Sequence, residues 1–263
     1  MQNPVLMYAI LCFSASHLKH INPDSQIYDD AIIFHKHHAL SLLRRELDSL
    51  TEPSSPMNEA VYGTGVILAI QSIAAFKSHS SCYPTDLDWI PLISGFKSLV
   101  VNMWDGCRES IFFPLIDTYR DPESLTAEDE LKILKKFNLA HLPAQLPVSY
   151  STHVGRLACI MDPFFPGGYY ATPFASVSLT RDVYEGVSGS EALRQLLGWI
   201  ATLPESFIPR AKEGDPSVVT LLGWVFALFK EIYSVQPLWW IERISKEGLL
   251  DIARVTTERG GLT

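Results

Sequence analysis

The chain has 263 residues, 47% of them hydrophobic, 11% aromatic and 19% charged, a composition that can bury a large core and excludes a mainly disordered protein. A formal charge of −8 at pH 7 with no basic run argues against direct binding to nucleic acid, whose affinity is carried largely by clustered Lys and Arg. Cysteines stand at 12, 82, 107 and 159 without a CxxC pair. Neither a zinc module nor a dense disulfide framework is signalled, and an intracellular setting, cytoplasmic or nuclear, is expected.

The opening NPVLMYAILCFSASHLKH is apolar like a leader peptide, but Lys19 and His20 follow the apolar run instead of preceding it. Pro4 after Asn3 opens an amphipathic helix, in which Leu6, Ala9, Ile10, Phe13 and His17 recur at helical spacing until INPDS ends it. A second helix is expected from about Gln26 to Leu50, with Tyr28, Ile32, His35, Ala39, Leu42, Leu43 and Leu47 on one side. TEPSSP separates it from a third, about Met57 to Phe76. A fourth starts near Asp86 and carries DWIPLISGFKSLVVNMW. Thr126 with Asp129 and Glu130 reads as a capping box for a helix to Phe137.

Towards the C-terminus, helices are expected near Ser190–Thr202, Asp215–Ser234 and Pro237–Thr256. The middle one has no polar face and should be buried on all sides. The longest uncharged runs, near Ala60–Phe76 and Pro216–Phe229, are shorter than the roughly 20 apolar residues a bilayer span requires, so no membrane span is expected. Alternating strand pairs with hairpin turns are missing, as are internal repeats. The fold class that follows is all-α: a single-domain helical bundle over residues 1–263, with an apolar pocket and one long aromatic-rich loop. That loop is residues 142–187, where five prolines interrupt the chain and five aromatics lie between Phe164 and Phe174.

Several constellations invite chemistry. His35, His37 and His38 in FHKHHAL invite a metal site, but only His35 and His38 share a helix face and no carboxylate stands at ligating spacing. Ser14, Ser16 and His17 lack the GxSxG elbow of a hydrolase, and His17 reads as an interior or boundary histidine. The acids that an ionising terpene cyclase needs are incomplete at Asp29-Asp30 and at DLDW, Asp86–Trp89. Neither a GxGxxG nor a Walker loop occurs. No metal and no cofactor is expected.

What remains is bulk, since Trp199, Trp224, Phe226, Phe229, Tyr233, Trp239 and Trp240 crowd one stretch. Helical neighbours point about 100° apart, so Trp239 and Trp240 cannot share one core slot. Trp240 stacks above Ile244, on the side marked by Ile241, Gly248, Ile252 and Val255, and reads as core. Trp239 stands above Arg243 and is expected at the mouth of an apolar pocket lined by Trp224, Phe226, Phe229 and Tyr233. Phe164, Phe165 and Phe174 are expected to cover that pocket.

The residues NPVLMYAILCFSASHL and YDDAIIFHKHHALSLLRREL, the segment DWIPLISGFKSLV, and the closing LRQLLGWIATLPESFI and DPSVVTLLGWVFALFKEIYSVQPLWWIERI resemble, in order, the C-terminal regulatory domain of fungal zinc-cluster transcription factors of the sterol uptake control type. The likeness covers nearly the whole chain. It is weakest over Leu142–Val187, and Ser94 stands where a basic residue would be expected beside Gly95. The resemblance implies an α-helical domain that binds a sterol in an apolar pocket near its C-terminal helices; the six-cysteine DNA-binding module has no counterpart in this sequence.

Two functional expectations follow. In the first, the chain binds a hydrophobic, sterol- or terpenoid-like small molecule as the sensor half of a regulator, without contacting nucleic acid itself and with a homodimer left open. In the second, the same pocket works as a metal-independent cyclase or pericyclase on a polyene or terpenoid. His17, Asp88, Tyr169 and Tyr170 are then the candidate polar groups at its wall.

Overall fold

A computed structural model of the protein describes residues 3–49, 59–77, 87–102, 150–161 and 188–260. Its helices are α1 (Pro4–Ile21), α2 (Gln26–Ser49), α3 (Glu59–Ala74), α4 (Trp89–Asn102), α5 (Ser151–Met161), α6 (Gly189–Ala201), α7 (Phe207–Glu213), α8 (Pro216–Val235) and α9 (Trp239–Gly260). Among the described residues there is no strand, and the expected all-α fold is what forms. The capping box at Thr126 and the expected first residues of the third helix, 57 and 58, lie outside the described residues.

By proximity of the backbone the chain falls into two compact units, one of residues 1–76 and 88–118, the other of residues 77–87 and 119–263. The first holds α1 to α4. At its centre is α3, which packs against α1, α2 and α4 and buries Val61, Tyr62, Leu68 and Ile73 together with the polar Thr64, Gln71 and Ser72. Thr64 and Ser72 donate their hydroxyls to backbone carbonyls of their own helix, Ala60 and Ala69, so these groups need no water. Gln71 Nε2 donates to Ser16 Oγ on α1 at 3.5 Å.

On α1 the buried residues are Val5, Ala9, Cys12 and Ala15, which are small and so let α2 and α3 come close. The Cys12 thiol donates to the Ile32 carbonyl of α2, and burial pushes its pKa up to about 11. Lys19 Nζ ties the same pair of helices through Asp29 at 2.6 Å.

The second unit is built around α8, which packs on α6, α7 and α9 and buries thirteen of its residues from Ser217 to Ile232. Pro216 occupies its first turn, and Asp215 caps it by accepting from the Ser217 and Val218 N–H groups at 3.0 and 3.3 Å. This helix is long and apolar enough to cross a bilayer, but two-thirds of that stretch is buried inside the protein, where the apolar residues serve as core.

Two helices went unread in the sequence. One is α7, seven residues long and too short for a periodic signal. It ends on Gly214, whose φ of 75° lies in the left-handed region that glycine enters without steric cost. The other is α5, which corrects the reading of 142–187 as irregular throughout: Ser151–Met161 is helical. Prolines on either side of it made the segment look like loop. Between them Val154, Leu157, Ala158 and Met161 recur at helical spacing and are all buried.

Candidate functional site

Of the aromatic residues expected around a pocket, Tyr233 and Trp239 flank the corner where α8 turns into α9, while Trp224, Phe226 and Phe229 lie further back along α8. Gln236 ends α8 with its N–H bonded to the Ile232 carbonyl at 2.8 Å. Ser190 at the start of α6 donates to Gln236 Oε1 at 3.0 Å. A Cβ placed on Gly189 would lie 3.0 Å from the Gln236 side chain, so any larger residue at 189 would press on Gln236. Pro237 leads into α9, which begins at Trp239.

The named residues divide by depth. Trp224, Phe226 and Phe229 are buried. The Phe226 ring lies over Gly248 of α9 so tightly that a Cβ on that glycine would stand 2.6 Å from a ring carbon, which makes Phe226 a packing residue between the two helices. Tyr233 and Trp239 are half-buried. Lys246 Nζ lies 5.7 Å from the centre of the Tyr233 ring and is also paired with Glu242. Arg243 is paired with Glu247 one turn along.

Half-burial of Trp239 agrees with an indole facing a second environment. Trp240 does not keep the expected place in the core: it too is half-buried, while Ile241, Ile244, Gly248 and Ile252 are buried as expected. Both indoles sit in the first turn of α9, ahead of the place where Gly248 meets α8, so neither is enclosed on every side. Phe164, Phe165, Tyr169, Tyr170 and Phe174 lie outside the described residues.

The remaining candidates stand elsewhere. His17 and Asp88 are both exposed and belong to the first unit; of the two places expected for His17, interior or boundary, the interior one is excluded. His17 lies on the outward strip of α1 with Ile10 and Ile21, opposite Ala9 and Ala15. His35 and His38 take part in an aromatic cluster with Tyr8 and Phe34, ring centres 4.2 to 6.5 Å apart, and His38 Nδ1 donates to the Phe34 carbonyl. Among the described residues no group of three His, Cys, Asp or Glu is placed to hold a metal ion.

A polar junction in the second unit escaped the sequence reading. Tyr150 is fully buried; its hydroxyl meets Ser206 Oγ at 2.9 Å, its ring stacks on Phe207, and the Arg210 guanidinium lies 5.3 Å above it. Arg210 is in turn paired with Asp215, the cap of α8. Burial pushes the Asp215 carboxyl up, but the hydrogen bonds from Arg210, Val218 and Ser217 and the charge of Arg210 outweigh it, so the pKa is lowered overall. Asp215 was legible as a residue before a helix-opening proline; Tyr150 was hidden at the edge of the proline-rich stretch.

Chemically, Trp239 and Tyr233 present part of an indole and part of a phenol at this corner, a combination that suits an apolar molecule carrying one polar group. Its charged residues are engaged with one another along α9.

Residues 1–128 match the family described as the fungal specific transcription factor domain. Over 99% of its length the chain is 20% identical to sterol uptake control protein 2 of Candida albicans (strain SC5314 / ATCC MYA-2876), of which it spans 36%. No solved structure matches the chain. The α8–α9 corner lies beyond the residues that match the family and within the span shared with the Candida protein. The first half of this chain is thus a match to the fungal specific transcription factor domain, and the chain as a whole is distantly related to a fungal sterol uptake regulator.

Proposed function

We propose that this chain is an intracellular sensor domain: it binds a sterol- or terpenoid-like molecule against the α8–α9 corner and serves a regulatory role without contacting DNA itself. The observation that carries the reading is the likeness over 99% of the chain to a sterol uptake control protein. The corner supports it, because the half-buried Trp239 and Tyr233 leave part of two large rings available to a ligand. The exposure of His17 and Asp88 removes support from the alternative of a cyclase or pericyclase.

Titration with a fluorescent sterol tests the proposal. Energy transfer from tryptophan should saturate, and Trp239→Ala should weaken binding by about tenfold, the loss of roughly 1.4 kcal/mol of contact, while leaving the helical circular dichroism unchanged. Absence of saturable transfer with sterols and with terpenoid probes would remove the sensor reading. A mobility shift with duplex DNA at physiological salt would remove the claim that the chain does not contact DNA.

A further inference from the structure

At the corner where α8 gives way to α9, one polar side chain stands in the chain between the two half-buried rings. Gln236 is the C-cap of α8, three residues from Tyr233 and three from Trp239, and is itself half-buried. Its amide is oriented from another helix. Ser188 Oγ donates to Ser190 Oγ at 3.2 Å, and Ser190 Oγ donates to Gln236 Oε1 at 3.0 Å, so the carbonyl end of the amide is turned towards α6. Ser188 is the N-cap of α6, yet its side chain caps no helix N–H, although serine at that position ordinarily satisfies one. Its hydroxyl is given to the chain of hydrogen bonds that ends on Gln236.

With Oε1 engaged, the two N–H bonds on Nε2 point away from Ser190, and among the described residues nothing accepts from them. A donor fixed in direction, at a corner flanked by two large rings, is what a site needs to read one oxygen on an otherwise apolar molecule. We propose, resting on the sensor reading above, that Gln236 determines the specificity of this corner: its Nε2 donates a hydrogen bond to the single oxygen of the ligand, and Ser190 positions it by holding Oε1. Because the amide offers only donors, the ligand oxygen has to accept. An alcohol and a ketone meet that requirement equally, and a hydrocarbon of the same skeleton does not.

The charged groups of α9 leave this role to the amide. Lys246 is paired with Glu242 and lies by the Tyr233 ring, and Arg243 is paired with Glu247. A Cβ on Gly189 would stand 3.0 Å from Gln236 Oε1, so packing as well as hydrogen bonding holds the carbonyl end in place. A neutral donor suits a neutral ligand, since drawing in a carboxylate would take an unpaired cation. A site that hydrogen-bonds one oxygen also rejects an analogue lacking it, because the donor is then left unmatched.

Tryptophan fluorescence titrations of the full chain, with ligands delivered from cyclodextrin, test this with the alcohol, ketone and hydrocarbon forms of one sterol skeleton and of one terpenoid skeleton. The wild type should bind alcohol and ketone within about threefold of each other and the hydrocarbon about tenfold more weakly. Gln236→Leu keeps the bulk without the donor, and should bring all three within about threefold of one another with circular dichroism unchanged. Gln236→Glu offers only acceptors, and should favour the alcohol over the ketone by about tenfold. Ser190→Ala should weaken both oxygenated forms by about threefold, and Ser190→Thr should restore them. A preference for the oxygenated forms that survives Gln236→Leu, or a Gln236→Glu chain that binds alcohol and ketone alike, overturns the role of Gln236 and leaves the sensor reading standing. A wild type that binds neither skeleton in any form overturns both.

Discussion

Each unit is organised around one helix buried on nearly every side, α3 in the first and α8 in the second, but the two differ in where they put their large side chains. Around α8 the bulk goes inward: Trp199, Phe207, Tyr150, Phe226 and Phe229 are all enclosed. Around α3 the partners α1 and α2 turn small residues inward, and Ile10, Leu18, Ile27, Ile33 and Phe34 stay exposed. Since burying a large aliphatic side chain stabilises by about 1.5–3 kcal/mol, the second unit holds its stability within the chain. The first encloses Tyr62, Phe76 and Trp89 but keeps the apolar side chains of α1 and α2 at its surface.

The largest expected effect tests the inward side of the comparison. Trp199 is fully buried and donates its indole N–H to the His153 carbonyl at 2.6 Å. Trp199→Ala should therefore cost about 3–5 kcal/mol, measured by urea unfolding followed by circular dichroism. We propose that the chain unfolds as one domain, so a single transition should move to lower urea. Two separated transitions, with one unaffected, would mean that the units fold independently.

Next in size is Gly248→Ala. The new methyl would meet the Phe226 ring at 2.6 Å, and the ring, enclosed by α8 and its neighbours, has little room to retreat. A loss of about 1–3 kcal/mol is expected. Full stability in this variant would show that α8 and α9 can slide apart cheaply, and would make the corner a softer site than its packing suggests.

A smaller effect is expected at Asp215, which both caps α8 and pairs with Arg210. Asp215→Ala should cost about 0.5–2 kcal/mol near neutral pH. Because the folded-state pKa is lowered from its ordinary 3.8, the carboxylate contributes stability above that value and the contribution fades as pH falls below it. The difference between variant and wild type should thus shrink in acid; a difference independent of pH down to about 2 would leave capping geometry without a charge component.

How much of this could be read from the sequence depended on the kind of signal. Starts of helices were legible where proline follows a capping residue, as at Asn3-Pro4 and Asp215-Pro216, and the all-round apolar run of α8 foretold its burial. Short helices were not: α7 spans too few residues to show a period, and α5 was masked by the prolines around it. At the site, periodicity separated Trp239 from Trp240 by direction but not by depth. How far an indole is covered depends on which helices reach the first turn of α9, and that is set by Gly189, Gln236 and Gly248, contacts distant in sequence. The node of Tyr150, Arg210 and Asp215 was invisible as a unit because Tyr150 comes from a segment distant in sequence from the other two. On α1 the helix was plain, yet the pattern of Leu6, Ala9, Ile10, Phe13 and His17 placed on one side residues that the fold divides between inside and outside.

The smallest expected effect tests the outward side. Ile27, 70% exposed on α2, would be a costly loss if it were core, yet in an isolated copy its side chain gives up little contact when shortened. Ile27→Ser should change the unfolding free energy by no more than about 0.5 kcal/mol, because an exposed side chain has few contacts to lose. Urea unfolding followed by circular dichroism measures it. A loss well above that value would mean that Ile27 is held by contacts within its own chain.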